Sequence, residues 1–174
     1  MGTETAGATA ADPLAALAAT DALARLKHAY FRLLDTKEFE ALGRLLTDDV
    51  TTAYASGELA FTGRQAVVDF LVESLGAPGI VTMHHGHHPE LALDGPDAAT
   101  GTWYLEDRVI VPDADFEIHG TAVYSDRYAR SGDAAGDPYG GWRIAHTGYD
   151  RVFEQRRRHS TGELLSFSSR FTSR

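Results

Sequence analysis

Apolar residues recur at roughly helical spacing in the first part of the chain and at alternate positions in the second. Leu14, Leu17, Leu23, Leu26, Tyr30, Leu33 and Leu34 follow Asp12-Pro13, where Asp can cap a helix and Pro can fill its first turn. This spacing predicts one long or two short helices ending about Asp35, with Asp21 and Arg25 on a polar side and a break, if any, near Thr20-Asp21. A second helix is predicted from Thr36, as N-cap, through Phe39, Leu42, Leu45 and Leu46 to Thr47. A short strand over 50–55 follows, turned by Ser56-Gly57-Glu58. Thr62-Gly63-Arg64 opens a third helix with Ala66, Val67, Phe70, Leu71 and Leu75 as its buried stripe, and Gly76-Ala77-Pro78-Gly79 stops it.

Beyond that stop the period falls to two, and 80–93, 98–111, 118–130 and 142–153 read as four long strands joined by turns rich in Asp, Gly and Pro. Helices followed by an antiparallel meander make an α+β pattern. On the second long strand Trp103, Leu105, Asp107 and Val109 form the more apolar face. An aspartate there is expected to be paired or functional. The third strand groups Tyr124, Asp126 and Tyr128, and the fourth groups Trp142, Ile144, His146 and Gly148; alternation leaves open which face is inside. Tyr54, Trp103, Asp107, Tyr124 and Ile144 are the candidate walls of a substrate pocket, and so many aromatics with few charges fit an aromatic or polycyclic ligand.

At 174 residues, with 43% hydrophobic content, the chain can bury one core. Residues 1–11 are small and polar and are expected to be loose, 12–153 form the domain, and 154–174, with five arginines and the apolar cluster Leu164, Leu165 and Phe167, form an arm. That cluster needs a cover, so a homo-oligomer is expected. A net charge of −9 repels phosphate backbones and anionic lipid, so neither nucleic acid nor membrane is an expected partner. The absence of cysteine removes disulfides, thiolate metal sites and cysteine nucleophiles. The first residues carry no basic region and no long apolar run, which makes a cytoplasmic location the expectation.

The strand Thr82-Met83-His84-His85-Gly86-His87-His88-Pro89-Glu90 carries the chemistry. A histidine oriented by a carboxylate, with a phenol nearby, moves protons at neutral pH. A metal site is harder to build. His84 and His88 would share a face but lie roughly 13 Å apart on a regular strand, too far for one ion. His85 and His87 share the other face at roughly 6.6 Å and would chelate only if a carboxylate converged on them. Cupins use such an H-x-H pair but lack three leading helices, so a surface or interface role is expected for His85 and His87, with no metal and no cofactor.

Several local motifs carry a resemblance: Tyr30-Phe31-Arg32-Leu33-Leu34-Asp35, Leu45-Leu46-Thr47-Asp48-Asp49-Val50, Phe61-Thr62-Gly63-Arg64, Thr82-Met83-His84 and Gly141-Trp142-Arg143-Ile144. Together they resemble the SnoaL-like branch of the nuclear-transport-factor-2-like superfamily, and within it the scytalone dehydratase, bile-acid dehydratase and hexachlorocyclohexane dehydrochlorinase group. The resemblance implies a cone in which a curved sheet wraps the N-terminal helices around an apolar pocket. It also implies that His84 is a general base, Asp35 the carboxylate that orients it, and Tyr30 a donor to a departing or developing oxyanion. A cofactor-independent dehydratase-like lyase or isomerase for a small cyclic, aromatic or polycyclic substrate is therefore expected, with a polyketide cyclase or a non-catalytic binding module as alternatives. Five residues turn a helix by about 140° off one face, so Tyr30 and Asp35 converge only if the helix ends or bends between them.

Overall fold

In a computed structural model, residues 12–131 and 135–171 are described; the expectation for residues 1–11 lies outside them. Helix α1 (Pro13–Asp35) is continuous: Asp12 accepts from the Leu14 N–H at its start, and Thr20 only bonds back to the Ala16 and Leu17 carbonyls. Its first turns extend past the core, leaving Leu14 and Leu17 exposed, while Leu23, Leu26, Tyr30, Leu33 and Leu34 are buried. Thr36 does not start the next helix. Its backbone N–H and hydroxyl both return to the Arg32 carbonyl, closing α1, and α2 is one short turn (Phe39–Gly43). Strand β1 (Leu46–Ala53) therefore begins where the helix was expected to continue. Helix α3 (Arg64–Leu75) lies between Gly63 and Gly76 as its flanking glycines predict, burying Val67 and Leu71 and leaving Ala66 exposed.

The remaining elements form one curved sheet. Strands β2 (Val81–Leu93), β3 (Ala98–Val111), β4 (Phe116–Arg130) and β5 (Trp142–Arg158) make the expected antiparallel meander, and β1 joins β5 in parallel. The tail adds β6 (Leu164–Ser169) antiparallel to the far half of β5. The order β1-β5-β4-β3-β2 leaves β2 at an edge, and α1 packs along it. On β3 and β4 alternate residues are buried, and Trp103, Leu105, Asp107, Tyr124, Asp126 and Tyr128 all face inward.

Strand β5 breaks that alternation. Arg127 pairs with His146 and Tyr128 with Ile144, so Ala145 is an extra residue that reverses the strand's facing. Trp142 and Ile144 point inward, but His146 and Gly148, grouped with them by alternation, do not share their side; Thr147, Tyr149 and Arg151 take the interior positions. Among the described residues, no helix is long and apolar enough to cross a membrane.

Candidate active site

Asp35 is the last residue of α1, and the helix delivers its carboxylate to the edge strand β2. Oδ1 lies 2.7 Å from His84 Nδ1, and Oδ2 accepts the His84 backbone N–H at 2.8 Å. The Thr82 hydroxyl donates to Oδ1 at 2.8 Å and itself accepts from the Lys37 ammonium at 2.8 Å. Partial burial pushes the Asp35 carboxyl up, but the hydrogen bond and charge of His84, the His84 N–H and the Thr82 hydroxyl outweigh it and hold the group below the usual carboxylate range. An ionised carboxylate only accepts, so Nδ1 carries the ring hydrogen and the Nε2 lone pair is left as the basic position.

Phe31, one helical turn before Asp35, lies against Gly86, where a Cβ would sit 2.3 Å from its ring. Glycine is therefore required two residues beyond His84 if α1 is to approach β2 this closely. An open depression of about 490 Å³ runs along this seam, lined by His28, Phe31, Arg32, Asp35, His84 and the strand residues that follow.

Pairing across the sheet extends the polar row. His84 is opposite Asp107, Asp107 opposite Gly120, and Gly120 opposite Glu154. Arg151 reaches over Gly120 to Asp107 in a two-pronged ion pair, with Nη2 donating to Oδ2 at 2.8 Å, and its Nε lies 3.3 Å from Glu154. The buried Asp107 is thus paired, as its place on an apolar face requires.

The candidate phenols lie deeper, in the interior. Because α1 is unbroken, Tyr30 and Asp35 diverge, and the Tyr30 hydroxyl is 3.3 Å from that of Tyr54 in the interior. Tyr54 and Tyr124 each pack against the Tyr149 ring. Burial pushes the phenols of Tyr30, Tyr54 and Tyr124 well above their ordinary value, so they are neutral hydroxyls at physiological pH. Beneath them Lys27, fully buried, is 2.8 Å from Asp126 Oδ2 and 3.2 Å from Thr147 Oγ1, with its ammonium 3.8 Å from the centre of the Tyr124 ring. Burial pulls the Lys27 ammonium down, and Asp126 only partly restores it. The interior is aromatic but carries this ion pair, so it is not wholly apolar.

Trp103 and Ile144, expected as pocket walls, are fully buried core: the Trp103 indole N–H donates to Tyr128 and Ile144 pairs with Leu46. None of Tyr54, Trp103, Asp107, Tyr124 and Ile144 borders the depression at the dyad.

Residues 15–148 match the SnoaL-like domain. The chain belongs to that family. Solved structures of similar fold include a candidate scytalone dehydratase from Novosphingobium aromaticivorans, 18% identical over 94% of this chain and 99% of that one, with a TM-score of 0.73. Hexachlorocyclohexane dehydrochlorinase LinA-type3 from Novosphingobium barchaimii is 17% identical over 93% and 97% of the two chains, with a TM-score of 0.67. ActVI-ORFA from Streptomyces coelicolor is 16% identical over 76% and 96%, with a TM-score of 0.62. At these identities the likeness is one of fold.

In this SnoaL-like domain the sequence pattern missed Arg151, Tyr149, Lys37 and Lys27. Arg151 and Tyr149 were hidden by the extra residue at Ala145, which no alternation rule anticipates. Lys27 lies four residues from Leu23 and three from Tyr30, on the buried stripe, and that spacing was the available signal.

Proposed function

We propose that this protein is a cofactor-independent acid/base lyase or isomerase, dehydratase-like, for a small cyclic, aromatic or polycyclic apolar substrate. One observation carries the reading: Asp35 holds His84 through Nδ1 at 2.7 Å while also gripping the strand's backbone, leaving Nε2 as the base. In this scheme Nε2 removes a proton from a carbon beside a carbonyl or a leaving group. The imidazolium that forms is stabilised by Asp35, and the electron pair from the broken C–H bond expels halide, or a hydroxyl that takes up a proton from the imidazolium and leaves as water, or shifts a double bond. Tyr30, buried with its hydroxyl paired to Tyr54 and turned from Asp35, is proposed to donate to the departing or developing oxyanion from the interior side of the substrate, and Asp107 and Tyr124 are proposed to border the substrate there. The dehydratase and dehydrochlorinase names among the fold relatives support this class of chemistry.

An aldol cyclase would use a carboxylate as its base. Asp35 already accepts from Thr82 and from both the ring and the backbone of His84, which favours the imidazole over the carboxylate for that role. The test is a panel of hydroxy- and halo-substituted cyclic ketones followed in deuterated water, with wild type, His84→Gln and Asp35→Asn compared for turnover, C–H exchange and ligand binding. The expected outcome is a loss of exchange and turnover on the order of 10²–10⁴-fold with binding retained. Binding without exchange in wild type would make the protein a ligand carrier, and ring closure as the product would make it a cyclase.

A further inference from the structure

Strand β2 carries a second constellation on its other face. Thr82, His84 and Gly86 turn toward α1, so His85 and His87 turn away from it, and both are exposed. Glu106 of β3 lies directly opposite His85. One donor atom from each of His85, His87 and Glu106 falls within 4.8 Å of the other two. This is the converging carboxylate that the H-x-H spacing requires for chelation. We propose that His85, His87 and Glu106 bind a divalent transition-metal ion, zinc first, on the outer face of the sheet.

Geometry and donor chemistry agree. The His85 and His87 rings are 5.8 Å apart between centroids with planes at 76°, and one nitrogen of each lies within 4.8 Å of the other and of a Glu106 carboxylate oxygen. Four-coordinate zinc holds nitrogen and oxygen at about 2.0–2.1 Å, which places neighbouring donors roughly 3.3 Å apart. Closing to that distance takes rotation of exposed side chains and leaves the paired backbone where it is. Two imidazoles and one carboxylate suit zinc, cobalt, nickel or copper, whereas magnesium and calcium prefer oxygen alone. His119 on β4 lies 3.4 Å from Glu106 Oε1, the position of an outer partner that steadies a ligating carboxylate. Regular β2–β3 pairing is interrupted just past His87, and His88 adopts φ 49° there, a bulge of the kind that re-aims side chains. A net charge of −9 draws cations toward the surface. His85 and His87 border the same open depression as Asp35 and His84, but none of the three donors belongs to that pair, so the proposal stands independently of the acid/base reading.

The experiment is isothermal titration of the full chain, free of any histidine tag, with zinc chloride, alongside the visible absorption of Co²⁺. One ion per chain is expected for wild type and equally for His84→Gln. His85→Ala, His87→Ala and Glu106→Gln should each bind about 10–100-fold more weakly and lose the cobalt absorption, with circular dichroism unchanged, since two of the three residues are exposed and the third is half-buried. Failure of wild type to take up zinc at micromolar concentrations would overturn the proposal. So would uptake that survives His87→Ala, or that disappears with His84→Gln.

Discussion

Lys27→Met removes a cation from the centre of the fold while keeping the length of the side chain. Lys27 and Asp126 are both fully buried and 2.8 Å apart. After the substitution Asp126 keeps the Tyr128 hydroxyl at Oδ2, 2.8 Å away, but Oδ1 has no hydrogen-bond partner among the described residues. The carboxylate is then buried without a counter-charge, and breaking such a pair costs about 3–5 kcal/mol. For a chain of this size that corresponds to a fall in Tm of roughly 6–20 °C. Trp103 and Trp142 are both buried, so their fluorescence reports unfolding in urea directly. Adding Asp126→Asn removes the orphaned charge and leaves a carbonyl oxygen for Tyr128, so Lys27→Met/Asp126→Asn should regain about 1–3 kcal/mol over the single variant. If Lys27→Met is as stable as wild type, or the double variant is no better than the single, the pair does not work as argued.

Gly86→Ala would drive a methyl into Phe31, with a built Cβ 2.3 Å from Cε2, costing about 1–3 kcal/mol and prising Asp35 from His84; Phe31→Leu should restore part of the loss, and an unperturbed melting curve for Gly86→Ala would contradict this. Because the folded state holds Asp35 below its usual range, Asp35 stabilises above the unfolded-state value of about 3.9 and that contribution is lost as pH falls through the lower, folded value. The gap in urea midpoint between wild type and Asp35→Asn should thus be full at neutral pH and close under acid, and a gap that widens on acidification would reverse the assignment. Leu164, Leu165, Phe167 and Phe171 are 46–81% exposed along β6 and the turn after it, and we propose that they are covered in a homo-oligomer. Sedimentation of wild type and Phe167→Asp should show the assembly and its dissociation, whereas a monomeric wild type at micromolar concentration ends the idea.

Sequence signals succeeded here where they are local. Gly63 and Gly76 flank α3, and the alternation over 98–111 coincides with β3 (Ala98–Val111), because caps and side-chain periods are properties of neighbouring residues. They failed where a distant partner decides. Thr36 has the composition of an N-cap, but its hydroxyl is taken by the Arg32 carbonyl and Glu38, and β1 begins at Leu46, which pairs with Ile144 of β5. The tail strand β6 is invisible for the same reason, since it exists only against β5. Asp35 and His84 stand out as a carboxylate ending a helix and a histidine on a strand, and their meeting at 2.7 Å follows from α1 lying along the sheet edge. The partners that hold Lys27 and Arg151 in the interior, Asp126 and Asp107, lie far from them in sequence, so the two pairs are not legible there.

The extra residue at Ala145 has a consequence for how this protein can change over generations. It separates Trp142 and Ile144, which close the core, from Thr147, Tyr149 and Arg151, which furnish the interior, and keeps both sets on the same side of the sheet. Deleting it would force one set or the other to turn outward. Lineages should therefore tolerate replacement of Ala145 by another residue far more readily than its loss, and the length of this stretch, more than its identity, is what descent must preserve.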